Sequence, residues 1–153
     1  LHQIIAGAER CPAGEIDEEI YVLYKQYVKA LSEMKMRVKN HELKIIDEEL
    51  GLMGIIDIVG YKENLLYIID VKSSLSQQPA YRLQTAFYEL LYRRNFNIKK
   101  DTPIIRCCLH LAPDKYKVEW HNDKRDMSLI LSLLNIYNFK KENGLLEKPL
   151  DRN

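Results

Sequence analysis

Polar and apolar positions change period several times along the chain. Over 17–34, Ile20, Leu23, Tyr24, Tyr27, Val28 and Leu31 recur at the spacing of one helical face. This predicts a helix with Asp17 as its cap. The pattern over 37–46 reads as a strand. The runs 54–61 (GIIDIVGY) and 65–71 (LLYIIDV) are β-branched and apolar, and the polar Lys62-Glu63-Asn64 segment joins them, which is a hairpin signature. Both runs are apolar on both faces, so the sheet is expected to be covered on each side. A helix is predicted over 79–94, then strands over 103–111 and 116–121 around the Ala112-Pro113-Asp114-Lys115 turn. A last helix is expected over 124–141, capped by Asp123, with Met127, Ile130, Leu131, Leu134 and Ile136 as its apolar stripe. Residues 1–9 read as a helix end closed by the Cys11-Pro12-Ala13-Gly14 loop. The order of main elements is α-β-β-β-α-β-β-α, an α/β (α+β) class.

Charges inside the apolar strands are the anomaly. Asp57 interrupts GIIDIV and Asp70 interrupts YIIDVK. A buried carboxylate is costly unless it is paired or bound to metal. If Glu63 and Asn64 form a two-residue loop, Lys62 pairs with Leu65, and counting back sets Asp57 opposite Asp70. Side chains so placed stand about 5 Å apart, and like charges there repel. Lys72 shares the face of Asp70 because strands have period two. A divalent cation resolves the repulsion, and Mg²⁺ suits hard carboxylate oxygens. Two alternatives stay open. A three-residue loop would set Asp57 opposite Ile69 and part the carboxylates, and a bulge near Gly60 would shift the pairing. In isolation, Asp-x-Lys is more often a surface ion pair. The apolar strands, the second acid in the partner strand and the helix that follows argue for a site. On that helix Gln84 and Tyr88 stand at i and i+4 on one face, beside an apolar stripe of Leu83, Phe87, Leu90 and Leu91.

Composition narrows the class without changing this picture. The 153 residues fit one domain over 1–153, and 46% apolar with 29% charged residues describes a folded globular chain. No apolar run approaches the roughly 20 residues needed to span a bilayer, and no signal peptide is visible. Because the chain starts at Leu1, a preceding segment is allowed for. A net charge of +1 leaves nucleic-acid binding to local clusters. Cys11, Cys107 and Cys108 form neither a CxxC pair nor a zinc spacing. Cys107 and Cys108 read as small buried thiols, and the unpatterned count points to a reducing cytoplasm. His41, His110 and His121 read as structural or surface residues.

Taken in order, GIIDIV, IIDVKSS and RLQTAFYELLY resemble the PD-(D/E)XK nuclease superfamily, most of all its RecB-like branch of phage and prophage exonucleases. The branch carries a Gly-x-x-Asp element, here Gly54-Ile55-Ile56-Asp57. Its acid-x-Lys is here Asp70-Val71-Lys72, and its Gln-x-x-x-Tyr runs from Gln84 to Tyr88. An upstream His is matched by His2. A glutamate in the preceding strand is matched by Glu42, ahead of Glu48 or Glu49. The tail HLAPDKYKVEWHNDKRD is similar to that of phage members. The resemblance implies a restriction-endonuclease-like core, a central mixed sheet flanked by helices. It also implies phosphodiester hydrolysis of DNA, with Asp57, Asp70 and the Val71 carbonyl holding Mg²⁺ or Mn²⁺ and His2 and Glu42 assisting. Lys72 would position or activate water and stabilise the transition state, Gln84 would orient the substrate, and Tyr88 would pack or hydrogen-bond beside it. Phosphate contacts are expected from Ser73, Ser74, Arg93 and Arg94, with Lys35, Arg37, Lys39, Lys99 and Lys100 as further candidates. An iron–sulfur cluster needs four cysteines, so none is expected. A preference for free ends would come from a channel or a homo-oligomer. The setting implied is the cytoplasm of a bacterial or phage-infected cell, in recombination or repair. Competing readings are a structure-specific or restriction-like endonuclease, a non-catalytic DNA-binding module that kept the fold, and an unrelated α/β fold.

Overall fold

The computed structural model describes residues 17–146. His2 and Cys11, and the helix end expected over 1–9, lie outside the described residues. The elements are α1 (Glu18–Glu33), β1 (Arg37–Asp47), β2 (Leu52–Lys62), β3 (Leu65–Lys72), α2 (Pro79–Asn95), β4 (Ile104–Leu111), β5 (Tyr116–Trp120) and α3 (Arg125–Glu142). This is the expected order, with boundaries within two residues. Asp17 caps α1 as expected, its Oδ1 accepting from the Glu19 N–H at 2.8 Å.

The strands form one mixed sheet in the order β1-β2-β3-β4-β5. Every neighbouring pair is antiparallel except β3 and β4. A parallel pair needs a crossover, and α2 supplies it. Helix α1 covers one face with Tyr27 and Ala30, against Ile58, Ile69, Val71 and Leu109. Helix α2 covers the other with Leu91 and Tyr92, against Ile45, Ile56, Val59 and Ile68. Two covered faces explain why β2 and β3 are apolar throughout.

The β2–β3 turn holds Glu63 and Asn64 at φ of 50° and 66°, the left-handed pair of a two-residue hairpin loop. Lys62 therefore pairs with Leu65, as the two-residue reading requires. A bulge does lie near Gly60, but on β1, where the register shifts between Val38 and Asn40. It leaves the β2–β3 pairing intact. A Cβ on Gly60 would stand 3.0 Å from Met36 Sδ and 3.2 Å from the Arg37 carbonyl, so the missing side chain lets the bulged strand close in.

Two expectations for the last helix need correction. The flanking residue is Lys124, with no side-chain cap of its own. Asp123 still serves the helix start, its Oδ1 accepting from the Arg125 N–H at 2.9 Å. Of the expected stripe, Ile130 is buried and Met127 and Leu134 are half-buried, but Leu131 and Ile136 are exposed. Apolar residues lie all round α3, Leu129, Leu133, Tyr137 and Phe139 included. Picking one stripe among them by spacing had no unique answer.

Candidate active site

The site forms where two strands stop pairing. The β2–β3 ladder runs from Lys62↔Leu65 to Ile58↔Ile69 and ends there. Before that point β2 pairs only with β1, and beyond it β3 pairs only with β4. Asp57 and Asp70 occupy the first position past the ladder, one on each lip of the opening. The Asp57 Oδ2 accepts from the Val71 N–H at 2.7 Å. A side-chain carboxylate thus takes the place of a ladder carbonyl and holds the strands at the point where they part.

Two strands change face at this point. Ile58 packs on the α1 side and Ile56 on the α2 side, although residues two apart on a regular strand share a face. Their partners on β1 behave alike. The His41 ring lies 6.4 Å from Tyr27 of α1, whereas Leu43 packs on the α2 side. Glu42, between them, has φ of 45°, a left-handed conformation unusual for a residue with a side chain. By register Glu42 lies across from Asp57, so Glu42, Asp57 and Asp70 occupy one row of the sheet.

Asp70 is 2% exposed. Its Oδ2 is 2.7 Å from Lys72 Nζ and accepts from the Cys108 thiol at 3.5 Å. Lys72 Nζ also donates to Gln84 Oε1 at 2.9 Å, and Gln84 Nε2 donates to the Tyr88 hydroxyl at 2.9 Å. Nζ lies 4.5 Å over the Tyr81 ring. One chain of side chains therefore runs from Asp70 through Lys72 and Gln84 to Tyr88. Burial alone would lower the Lys72 pKa, but the hydrogen bond and charge of Asp70 outweigh it, and the net shift is upward. Lys72 is an ammonium at neutral pH. Burial raises the Tyr88 pKa. The Gln84 hydrogen bond opposes this, and the charges of Asp70 and Asp57 add to it. Burial, then the Asp70 charge, pushes the Cys108 thiol up, so it stays protonated as a donor.

Gly54 has a packing reason. A Cβ there would stand 2.8 Å from Leu91 Cδ1 and 3.4 Å from the Tyr88 ring. Its absence lets α2 settle on β2, which sets Tyr88 beside the strand that carries Asp57.

The remaining candidates are dispersed. Ser73 and Ser74 are exposed just past the end of β3. Glu48 and Glu49 are exposed in the β1–β2 turn. Arg93 and Arg94 lie at the far end of α2, paired with Glu89 and with Asp47 and Glu49. Sequence reasoning missed Cys108 and Tyr81, which touch the site residues directly. A thiol in an apolar run and a tyrosine before Gln84 carry no signal of their own.

The donor set suits a hard divalent cation. Two carboxylates, with the Val71 carbonyl and Glu42 nearby in the fold, offer oxygen ligands of the kind Mg²⁺ takes while keeping several waters. Among the described residues no three His, Cys, Asp or Glu side chains are grouped as a complete metal cluster. No helix among them is long and apolar enough to cross a membrane.

Comparison with known proteins bears on the family and the fold. The family model described as the PD-(D/E)XK nuclease superfamily matches residues 8–132. A search of curated proteins found no match. Among solved structures, the fold is similar to the crystal structure of a protein named "Putative exonuclease" from Eubacterium rectale, with a TM-score of 0.55 at 13% identity. The alignment covers 92% of this chain and 60% of that one, so the chain spans somewhat less than two thirds of that protein. At this identity the likeness shows a shared fold, the restriction-endonuclease-like arrangement of a mixed sheet between helices.

Proposed function

Because the chain belongs to the PD-(D/E)XK nuclease superfamily, we propose that it is a Mg²⁺- or Mn²⁺-dependent exonuclease on DNA. We place it in the RecB-like, phage or prophage branch, acting in recombination or repair in the cytoplasm. The observation that carries the reading is the break in the β2–β3 ladder. It sets Asp57 and Asp70 on facing lips, with Lys72 and Gln84 beside them.

Asp57, Asp70 and the Val71 carbonyl would hold the metal, assisted by Glu42. When bound, the ion supplies Lewis-acid polarisation of the scissile phosphate and makes water more acidic. The chain's own residues do the rest. Lys72, kept charged by Asp70, stabilises negative charge developing on phosphate oxygens in the transition state. Gln84 fixes the direction of that ammonium. Its amide has one orientation, Oε1 to Lys72 and Nε2 to Tyr88. The Tyr88 hydroxyl accepts from Gln84, so its own proton points elsewhere and can meet a substrate oxygen. Ser73 and Ser74, at the exposed end of β3, are placed for phosphate contact.

The test is release of label from end-labelled linear DNA with Mg²⁺ or Mn²⁺, comparing wild type with Asp70→Asn and adding closed circular DNA. Metal-dependent release by wild type alone, with circles left intact, supports the reading. Equal release by Asp70→Asn, or release in the presence of a chelator, would overturn it. Cutting of circles would replace exonuclease by endonuclease.

A further inference from the structure

Among the deeply buried polar groups that the mechanism leaves unused, His110 stands nearest to Lys72 in the sheet. His110 of β4 has no exposed surface, yet both ring nitrogens are engaged. Nδ1 is 2.7 Å from the Ser74 carbonyl oxygen, and Nε2 is 2.9 Å from Glu119 Oε2 on β5. A carbonyl has no proton to give, so Nδ1 must be the donor. Nε2 then faces a carboxyl group and must either accept from a protonated Glu119 or donate to a carboxylate. The second Glu119 oxygen, Oε1, lies 3.5 Å from His121 Nε2. Burial favours a neutral Glu119, but His110 and His121 outweigh it, and its pKa falls. Each ring nitrogen of the buried imidazole therefore has a polar partner, the Ser74 carbonyl on one side and the Glu119 carboxyl group on the other, so burial leaves neither unsatisfied.

What the clamp holds is the surroundings of Lys72. In the parallel β3–β4 register His110 stands opposite Lys72. Ser74, whose carbonyl it binds, is where the chain leaves β3. The His110 ring is also 5.9 Å from the Tyr81 ring, the same ring over which Lys72 Nζ lies at 4.5 Å. Two of the features that fix the Lys72 ammonium, the strand exit and the aromatic ring beneath it, therefore rest on His110. The charged or titratable groups around the clamp are Lys72 and Asp70 on β3, Cys108 on β4, Lys117 opposite His110 on β5, Glu119 and His121 on or just past β5, and Tyr81 on α2.

We propose that His110, a buried imidazole clamped between Ser74 and Glu119, is a positioning residue for Lys72 that sets the rate of chemistry without touching the substrate. This rests on the reading of Lys72 as part of a phosphodiester-cleaving site.

The test has a kinetic arm and a spectroscopic arm. In the kinetic arm, wild type, His110→Gln, Glu119→Gln and the double variant are compared for cleavage of linear DNA at saturating Mg²⁺. In His110→Gln the amide can serve the Ser74 carbonyl but turns an oxygen toward the Glu119 carboxylate. Glu119→Gln restores a donor there. A displacement of Lys72 by about 1 Å can cost about 100-fold in rate. Each single variant is therefore expected to lose about ten- to a hundredfold in kcat, with KM for DNA within about twofold. The double variant should recover part of that loss, so the two changes do not multiply. Single variants with wild-type kcat, a loss confined to KM, or losses that multiply in the double variant would each overturn the proposal. In the spectroscopic arm, nitrogen-15 histidine spectra of the wild type should show one imidazole with a hydrogen-bonded, slowly exchanging proton on Nδ1, and His110→Gln should remove it. A His110 with no proton on Nδ1 overturns the clamp whether or not DNA is cut. If the wild type cuts no DNA, the nuclease reading fails instead, and the rate-setting role of His110 fails with it.

Discussion

Two sets of polar side chains on α2 behave in opposite ways: the arginines, including Arg82 with Asp123 and Asp126, and the pair Gln84 and Tyr88. At the C-terminal end the arginines close on their own chain. Arg93 donates to Glu89 Oε1 at 2.8 Å, to the Lys99 carbonyl at 2.6 Å and to the Thr102 carbonyl at 2.8 Å. Arg94 reaches Asp47 and Glu49 across the β1–β2 turn. In the N-terminal half Gln84 and Tyr88 make no main-chain contact of this kind. They extend a chain of side chains from Asp70 and Lys72, at a place where two strands have parted. A planar fork filled by carbonyls fastens elements together. An ammonium held by adjustable side chains at a break in a ladder is placed to meet a substrate. Arg93 and Arg94 were candidates for DNA contact from sequence, and for either to bind phosphate it would have to give up a partner that holds the fold.

The comparison breaks most visibly at Lys72. Lys72→Ala should cut the rate of the chemical step by roughly 10²- to 10³-fold, the scale of losing one preorganised charge donor at an active site. The variant should still fold and bind DNA, and it should hold Mg²⁺ at least as well, because the ammonium no longer competes for Asp70. Single-turnover cleavage with calorimetric metal titration checks both parts. A rate within tenfold of wild type would show that the Lys72 charge is not used in the transition state. Arg93→Ala should do the reverse. Its rate should stay within about twofold, while stability falls by about 1 kcal/mol, because the exposed Lys99 and Thr102 carbonyls exchange a hydrogen bond for one to water and Glu89 keeps only Arg106 as its partner. For a domain of this size that is roughly 2–4 °C of melting temperature per kcal/mol. A strong loss of rate with an unchanged melting temperature would erase the contrast between the two sets.

What sequence made legible follows from how local the determinants are. The hairpin register depends on a two-residue turn, Glu63-Asn64, and from it the opposition of Asp57 and Asp70 can be counted. The i, i+4 pair of Gln84 and Tyr88 is fixed by helical geometry alone. The rest depends on partners distant in sequence. Cys108 and His110 reach the site through a parallel register with β3 that packing sets, not a turn. Glu119 arrives one strand further on. The face switch at Glu42 is invisible to a period-two reading, because the left-handed residue is a glutamate where glycine would have signalled it. The prominence of Gly54 in the motif was visible, but its cause, the closeness of Leu91 and Tyr88, was not.

The finest test lies at Arg94, where the fastening is partly open to water. Its side chain is 35% exposed, and its partner Asp47 is largely buried. An ion pair of that exposure contributes about 1 kcal/mol or less, so Arg94→Ala should melt only slightly below wild type at pH 7. The pH dependence carries more information than the size. The Arg94 hydrogen bond is the main cause that lowers the Asp47 pKa, against the opposing effect of burial. A carboxylate whose pKa is lower folded than unfolded adds stability above its unfolded value of about 4, and loses it as pH falls through the lower folded value. The gap between wild type and Arg94→Ala should therefore be widest near neutral pH and close as Asp47 is protonated in acid. Thermal melts from pH 7 to pH 3 read it directly. A gap that stays constant over that range would mean that Arg94 holds α2 by packing its aliphatic stem, and that its charge serves something other than the fold.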